Sequence, residues 1–240
     1  MKTRLKISAF VLSALLLSAC GGGSSNGNNA QNNANNANGA NQTANSTINL
    51  ASYPNEALSE EQKYSLAYMW HEEKLAKEIY LELNKLYPTQ QLENIATRSE
   101  VVHIQLVQDL VQLYDINITN IANYEINYSP EELNNMPVGK FAIPEIESLY
   151  NTLFDYGRVS QRASLEVGCM VEVVDIVDLD KYIATAGTNQ ALVDTFTILK
   201  DGSYKHYWAF DKGLKNMGVS NGCCSLDAEY CHPEYPNSGG

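Results

Sequence analysis

Apolar residues recur at helical spacing, about 100° per residue, along four long segments of the chain. The pattern predicts long helices over about Ser59–Leu86, Leu92–Tyr114, Ser160–Gly187 and Asn189–Asn216, with a short extra helix over Pro144–Gly157 before the third long one. These segments together predict an all-α bundle.

Local signals set the boundaries of these helices. Ser59 stands three residues before Gln62, which is the spacing of a capping box and predicts the start of the first helix. Pro88 ends that helix. Residues 115–143 are rich in Pro, Gly and Asn and have no sustained period, so they are predicted to form a long crossing loop with a short turn after Ser129.

The third long helix places two acids where apolar residues belong. Its apolar face contains Leu165, Gly168, Val171, Leu179, Tyr182 and Ile183. Glu172 and Asp175 lie at the middle of that face, so both carboxylates are predicted to point inward. Because an unpaired buried carboxylate costs several kcal/mol, the fold must supply cations, hydrogen-bond donors or a metal ion opposite them.

Each of the other long helices also carries a potential ligand on its apolar face. In the first helix, Glu72 lies roughly 30° from the centre of the apolar stripe and Glu73 roughly 70° away, so one of them is expected to face inward. The second helix contributes His103 within its apolar stripe and Glu100 on the flank of that stripe, one turn back, as a Glu-x-x-His pair, and the last helix contributes His206. The bundle is therefore predicted to contain one polar layer.

This polar layer has two explanations. Carboxylates combined with imidazoles suit iron, manganese or zinc. The alternative is a buried network of ion pairs, which needs cations on the same helix faces. The nearest basic residues are predicted to face solvent, because they lie roughly 100° or more from their own stripe centres. They are Lys74, Lys77, Arg98, Arg162 and Lys205. Tyr80 and Tyr182 could donate hydrogen bonds, but two hydroxyl groups do not satisfy four or five acids, so a metal site is favoured.

Composition and charge fit one acidic globular domain with accessory segments. The chain has 240 residues, 44% of them hydrophobic, with 28 Asp and Glu against 16 Lys and Arg. Residues 1–19 are first basic and then apolar, which is typical of a signal peptide. Its removal would take away Lys2, Arg4 and Lys6 and change the formal charge from -12 to -15. Such an acidic protein is not expected to bind nucleic acid.

The tetrapeptide Leu-Ser-Ala-Cys that closes this stretch resembles the lipobox of bacterial lipoproteins. The resemblance implies cleavage before Cys20 and acylation of its thiol, and Gly21 after it would suit sorting to the outer membrane. The residues that follow, up to residue 48, carry no charge and show no periodicity, so residues 20–48 are predicted to be an acylated tether. The protein is therefore expected to be exported and held by a lipid anchor at the outer membrane or the cell surface.

Export would place the other cysteines in an oxidising compartment. Cys223, Cys224 and Cys231 lie in a polar tail after the last helix. We expect one local disulfide from Cys231 to Cys223 or Cys224, with Cys169 free or bonded to the remaining thiol. A zinc site formed by these thiols and His232 is the alternative.

Five blocks of the sequence follow one another in the order found in a known family. They are YMWHEEKLAKEIYLEL, RSEVVH, PEIESLYNTLFDYGRVS, ASLEVGCMVEVVDIVDLD and GSYKHYWAF. Together they resemble the ferritin-like family called domain of unknown function 2202. The resemblance covers about residues 58–218 and leaves residues 219–240 as the tail. It implies an antiparallel four-helix bundle with a long crossover between helices 2 and 3.

The resemblance also implies a set of metal ligands. A ferritin-like site takes Glu, Glu-x-x-His, Glu and Glu-x-x-His from its four helices in turn. This chain matches the pattern at Glu72, Glu100, His103, Glu172 and His206. Ser203 stands where the last Glu belongs, so either Asp175 replaces it from the neighbouring helix or the site holds one metal ion only.

The polar layer supports two hypotheses about function. In the first, the protein is a membrane-tethered metal-binding protein, either a di-iron or di-manganese oxidoreductase acting on oxygen species or a metal store. In the second, it is a non-catalytic envelope lipoprotein whose bundle is an interaction module, and its polar layer is a structural relic or holds a zinc ion. Metal content distinguishes the two.

Overall fold

The computed structural model describes residues 48–116 and 135–237, and all the regular structure within them is helical. The α-helices are α1 Glu60–Leu86, α2 Gln90–Asn94, α3 Glu100–Leu113, α4 Pro144–Gly157, α5 Gln161–Ala186 and α6 Gln190–Asn216. Short 3-10 turns cover Leu50–Ser52, Gly222–Ser225 and Ala228–Tyr230. The all-α prediction is therefore confirmed.

Side chains at the helix ends explain where the helices begin. Ser59 Oγ accepts a hydrogen bond from the Gln62 backbone N–H at 3.2 Å, and the Gln62 side chain accepts one from the Ser59 N–H at 2.9 Å. The predicted capping box is thus present at α1. Ser160 caps α5 and Asn189 caps α6 through their side-chain oxygens. These caps satisfy backbone N–H groups that the helices leave unpaired.

The second long helix is interrupted, although the sequence pattern predicts a continuous one over about Leu92–Tyr114. The structure divides it into α2, a π-helical turn over Ile95–Ser99, and α3. A π-helical turn takes more residues than an α-helical one, so it shifts the faces of the helix that follows. A count of 100° per residue does not include that shift, which is why the pattern missed the interruption.

Helices α1, α3, α5 and α6 supply most of the buried interior. Helix α5 packs along α6, α1 contacts α3 and α5, and α3 also contacts α6, while α4 packs on α1 and α5. Gly168 allows α5 and α6 to approach closely, because a Cβ at this position would lie 2.4 Å from the ring of Phe210. The buried acids and histidines described below lie on these same four helices.

The C-terminal tail forms two disulfides, one to helix α5 and one within the tail itself. Cys169 of α5 is bonded to Cys223, and Cys224 is bonded to Cys231. This is one of the pairings that the sequence left open. Because it uses every cysteine of the described ranges, a zinc site with His232 would find no thiol ligand there.

Several sequence predictions concern residues outside the described ranges. The signal peptide, Cys20 and all but the last residue of the tether precede residue 48, and the turn predicted after Ser129 falls within residues 117–134. They stay predictions. Among the described helices, none combines the length and the apolar character needed to cross a membrane.

Candidate metal centre

Glu100, the first residue of α3, lies at the centre of a buried group of acids and histidines. Its Oε2 is 3.1 Å from Nδ1 of His103, one turn further along α3. Its Oε1 is 3.1 Å from Nδ1 of His206 on α6. A single carboxylate therefore faces two imidazoles through its two oxygens, and it joins two groups of potential ligands.

The first group consists of Glu73 from α1 together with Glu100 and His103. Glu73 Oε2 lies 3.1 Å from His103 Nδ1. All three residues are buried, and one ligand atom from each lies within 4.8 Å of the others. Atoms that bind one metal ion at about 2 Å lie roughly 3 Å or more from one another, so this spacing fits a single ion.

The second group consists of Glu172 from α5 together with Glu100 and His206, and its ligand atoms also lie within 4.8 Å of one another. Glu172 Oε2 is 3.4 Å from His206 Nδ1. The other oxygen of Glu172, Oε1, accepts a hydrogen bond from the Tyr80 hydroxyl at 2.6 Å. The second group could hold another ion, with Glu100 as the shared ligand.

Unsatisfied atoms show that hydrogen bonds alone do not complete this centre. His206 Nδ1 and Glu100 Oε1 are 3.1 Å apart, yet neither has a hydrogen-bond partner among the described residues. The distance would allow a hydrogen bond, so the relative direction of the two groups prevents it. Glu73 Oε1 is also without a partner in this part of the chain. A metal ion bound between these atoms would satisfy them.

The π-helical turn before Glu100 places two neighbouring residues around one imidazole. Ser99 Oγ lies 2.7 Å from His206 Nε2, while Glu100 Oε1 faces Nδ1 of the same ring. Neighbouring side chains of a regular α-helix diverge by about 100°, and π-helical turns often occur at functional sites. A hydrogen bond at the second ring nitrogen is what usually orients a metal-binding histidine.

His103 is positioned by close contact with α6. A Cβ at Gly202 would lie 2.4 Å from His103 Nε2, so a larger residue there would displace the imidazole from Glu73 and Glu100. The rings of His103 and His206 are stacked, with centroids 5.4 Å apart. Glycine at this position therefore has a packing role in the centre.

Without a metal ion, the histidines are the cations of the centre. Burial alone would lower the pKa of His206, but Glu172 and Glu100 outweigh it and raise that pKa to about 10. Burial also opposes the charge of His103, and Glu73 and Glu100 still raise its pKa well above the usual value. Burial disfavours ionised Glu100, yet His206 and His103 outweigh it and lower the pKa of this carboxyl. The imidazolium groups thus partly balance the buried acids.

On α1, the carboxylate that lies in the first group belongs to the residue next to the one that the sequence match implied. The match pointed to Glu72, whereas the carboxylate that reaches His103 belongs to Glu73. Glu72 is buried too, but it belongs to neither group, and burial, then Asp178 and then Asp175 raise its pKa well above the usual value. Two neighbouring residues can both fall within a wide buried face, so their angles on the helix did not decide between them.

Asp175 lies beside the centre rather than within either group of three. Its Oδ2 accepts a hydrogen bond from Ser203 Oγ at 2.5 Å. Burial and then the neighbouring Glu172 raise the pKa of Asp175 to about 8. Asp175 therefore brings a carboxyl group to the serine that stands in place of the last Glu of the ferritin-like pattern.

Lys74 is buried, which corrects the prediction that it faces solvent. Its ammonium group pairs with Glu78 at 2.7 Å, donates a hydrogen bond to the Lys140 carbonyl at 2.9 Å and lies 4.3 Å from the centre of the Phe141 ring. The segment before α4 covers this side chain, and the angle of a residue on its own helix does not include such a contact. Because Lys74 pairs with Glu78, it is not the counter-charge of the centre.

Comparison with known proteins identifies the family. The model of a family described as "Uncharacterized protein domain (DUF2202)" matches residues 62–229. The chain is 34% identical to "Uncharacterized protein MJ0754" of Methanocaldococcus jannaschii over 169 residues, which are 70% of this chain and 83% of that protein. A crystal structure of hypothetical protein MJ0754 from Methanococcus jannaschii matches with a TM-score of 0.59 and 35% identity, and covers 70% of this chain and 87% of that one. The chain therefore belongs to the DUF2202 family, as its sequence blocks indicate.

Proposed function

We propose that this protein binds two iron or manganese ions at the Glu100 centre and acts there as an oxidoreductase on small oxygen species. The observation that carries the proposal is the position of Glu100, whose two oxygens each lie 3.1 Å from Nδ1 of a different histidine. Glu100 would be a ligand of both metal ions, and each ion would also be held by its own histidine and its own glutamate.

The order of the ligands along the chain supports the proposal. Helix α1 supplies Glu73, α3 supplies Glu100 and His103, α5 supplies Glu172 and α6 supplies His206. Di-iron and di-manganese carboxylate proteins of the ferritin-like kind draw their ligands from four helices in this way. We infer that α1, α3, α5 and α6 form the same kind of four-helix bundle.

The serine at position 203 is the departure from that pattern. Asp175 of α5 lies beside this position and accepts the hydrogen bond from Ser203 at 2.5 Å. We favour two ions over one because the ligands of each group converge without Asp175. The Asp175 carboxyl group would then be an additional acid beside the pair.

The protein itself would hold the ligand side chains in position and keep water away from the metal ions. Bound iron or manganese would supply one-electron chemistry with oxygen species. Ser99 orients His206, Gly202 leaves the space that His103 occupies, and burial of all five ligands keeps bulk water away from them. Carboxylates and imidazoles also accept zinc, so the metal must be identified by experiment.

The place of action follows from the sequence prediction of an exported chain anchored through Cys20. The variant Cys20→Ala should leave the membrane fraction or remain unprocessed. Unchanged partition into detergent would contradict the anchor without affecting the metal centre.

Metal analysis of protein purified without chelator tests the two-ion proposal. We expect about two iron or manganese ions per chain in the parent and fewer than one in Glu100→Gln, because Glu100 belongs to both groups. Glu166→Gln is the matched control, since Glu166 is a buried acid of α5 whose partners, Tyr156 and Arg162, lie outside the centre. It should keep two ions. Anaerobic loading with Fe²⁺ followed by air should give a near-ultraviolet band in the parent and in this control only.

Two outcomes would overturn parts of the proposal. A parent protein that binds no metal, and whose melting temperature does not respond to iron, manganese or zinc, would favour the interaction-module hypothesis instead. Two zinc ions per chain, without iron or manganese and without a band after Fe²⁺ and air, would keep the two-ion centre and remove the redox function.

A further inference from the structure

Tyr80 contacts the candidate metal centre without belonging to either group of ligands. It lies on α1, two turns after Glu73, and is fully buried. Its hydroxyl donates a hydrogen bond of 2.6 Å to Oε1 of Glu172, while Oε2 of the same carboxylate faces His206. A phenol hydroxyl is protonated at neutral pH, so this donor is permanent under ordinary conditions.

Tight packing keeps Tyr80 in place. Its ring lies 5.1 Å from the ring of Phe210, measured between centroids. Phe210 in turn fills the space that a side chain at Gly168 would occupy. Because these aromatic rings are fully buried in a close-packed interior, the hydroxyl of Tyr80 has little freedom to leave Glu172.

Glu73 has no such partner, and this makes the two groups unequal. Oε1 of Glu73 makes no hydrogen bond to any described residue, and Oε2 is hydrogen-bonded only to His103 Nδ1, which belongs to the same group of potential ligands. A metal ion that took the place of the proton on His103 Nδ1 would therefore find both oxygens of Glu73 available. Glu172 offers only Oε2, because Oε1 is bonded to Tyr80.

We propose that Tyr80 is a positioning residue which restricts Glu172 to one metal-binding oxygen and so leaves an open coordination position on the Glu172 and His206 side of the centre. This inference rests on the proposed two-ion function and deepens it. The open position is where a small anionic or neutral oxygen species would bind. The ion beside Glu73 and His103 would be bound by more protein oxygens and would not take the external ligand.

Azide binding to the cobalt-loaded full chain tests this inference, because Co²⁺ is a coloured stand-in whose visible absorption depends on coordination number. Azide should bind to one ion per chain in the parent. In Tyr80→Phe, the freed oxygen of Glu172 can turn towards the metal ion and compete with azide, so we expect azide affinity to fall by about tenfold or more, the scale of one hydrogen bond to a charged group. The cobalt content should stay at two ions per chain.

Tyr156→Phe is the matched control. It removes a similar hydrogen bond, of 2.7 Å from the Tyr156 hydroxyl to Glu166 Oε2, from another buried glutamate of α5. Azide affinity in this variant should equal that of the parent. Any general effect of losing a tyrosine hydroxyl from the fold would appear in both variants.

The outcomes separate this inference from the proposed function. A parent that binds fewer than two cobalt ions would refute the two-ion centre itself. Equal azide affinity in the parent and Tyr80→Phe, with two ions in each, would refute only the role of Tyr80, and so would loss of the second ion from Tyr80→Phe. If that variant does not fold, 3-fluorotyrosine placed at position 80 keeps the ring shape and makes the hydroxyl more acidic. The absorption of the azide complex should then shift, and an unchanged spectrum would contradict the inference.

Discussion

Two buried glutamates of α5 have very different surroundings. Glu166 is 6% exposed, and its two oxygens accept hydrogen bonds from the Tyr156 hydroxyl at 2.7 Å and from Arg162 Nε at 2.8 Å. Glu172 is 2% exposed, and its Oε1 accepts a hydrogen bond from the Tyr80 hydroxyl at 2.6 Å. The other oxygen lies 3.4 Å from His206 Nδ1.

The comparison shows that burial of an acid does not by itself indicate a metal ligand. Both oxygens of Glu166 accept hydrogen bonds from protein side chains, so this buried acid needs no metal ion to satisfy it. Glu172 keeps one oxygen directed at an imidazole that also faces Glu100, so acids and histidine nitrogens converge on the same space. The distinguishing feature is an oxygen that faces the imidazole of another potential ligand.

The largest expected difference between the two sites is in metal-dependent stability. With free metal at about a thousand times its dissociation constant, selective binding to the folded state should add about 4 kcal/mol to the free energy of unfolding of the parent. Glu172→Leu should lose at least half of that gain, because it removes one ligand of the second group. Glu166→Leu should keep all of it. Denaturant unfolding of the three proteins, in chelator and then in metal, measures these gains.

The same experiment also measures how much free energy of unfolding each substitution removes when chelator is present and no metal is bound. Glu172→Leu orphans the Tyr80 hydroxyl and should lose on the order of 2 kcal/mol. Glu166→Leu orphans the Tyr156 hydroxyl and should lose a similar amount. An equal metal-dependent gain in both variants would show that the two glutamates do not differ in the way proposed.

A smaller effect should appear in the pH dependence of the metal-free protein. The pKa of His206 is raised to about 10, because Glu172 and Glu100 outweigh the effect of burial. The resulting stabilisation is complete below the unfolded pKa of about 6.5 and is lost as the pH rises through the folded one. Burial and Glu172 raise the pKa of Asp175 to about 8, so its ionisation in the folded state also costs stability as the pH rises towards that value.

The deprotonation of His206 and that of Asp175 both lower the free energy of unfolding as the pH rises. The melting temperature in chelator should fall between pH 6 and pH 9, by roughly 5 °C or more at the 2–4 °C per kcal/mol expected for this size. His206→Gln should flatten the slope, whereas Glu166→Gln should not. A melting temperature that rises over this range would contradict the assignment of His206 as a buried cation.

Much of the fold follows from local sequence. The capping residues Ser59, Ser160 and Asn189 mark the starts of α1, α5 and α6, and the apolar spacing gives their lengths. The π-helical turn over Ile95–Ser99 does not follow from spacing, because it depends on how the helix fits its neighbours. Burial of Lys74 likewise depends on a segment far along the chain.

The candidate site was predictable where a polar residue interrupts an apolar face. His103, Glu172 and His206 do so, and Glu100 lies on the flank of its apolar face, one turn before His103. The sequence did not distinguish Glu73, whose carboxylate reaches His103, from Glu72, because both lie on the buried face of α1. Contacts between distant residues, such as the one from Tyr80 to Glu172 across 92 positions, carry no local signal at all.

The smallest expected effect concerns the cation beside Glu166. The side chain of Arg162 is 49% exposed, so its ion pair with Glu166 is screened by water and should contribute less than about 1 kcal/mol. Arg162→Gln should therefore lower the free energy of unfolding by less than that amount and leave the metal content unchanged, because water can replace the guanidinium at Oε1. Unfolding and metal analysis of this variant beside Tyr156→Phe would show which donor matters more. If Arg162→Gln cost more than Glu166→Leu, Glu166 would be a buried charge that depends on its cation, and it would no longer be a fair contrast to Glu172.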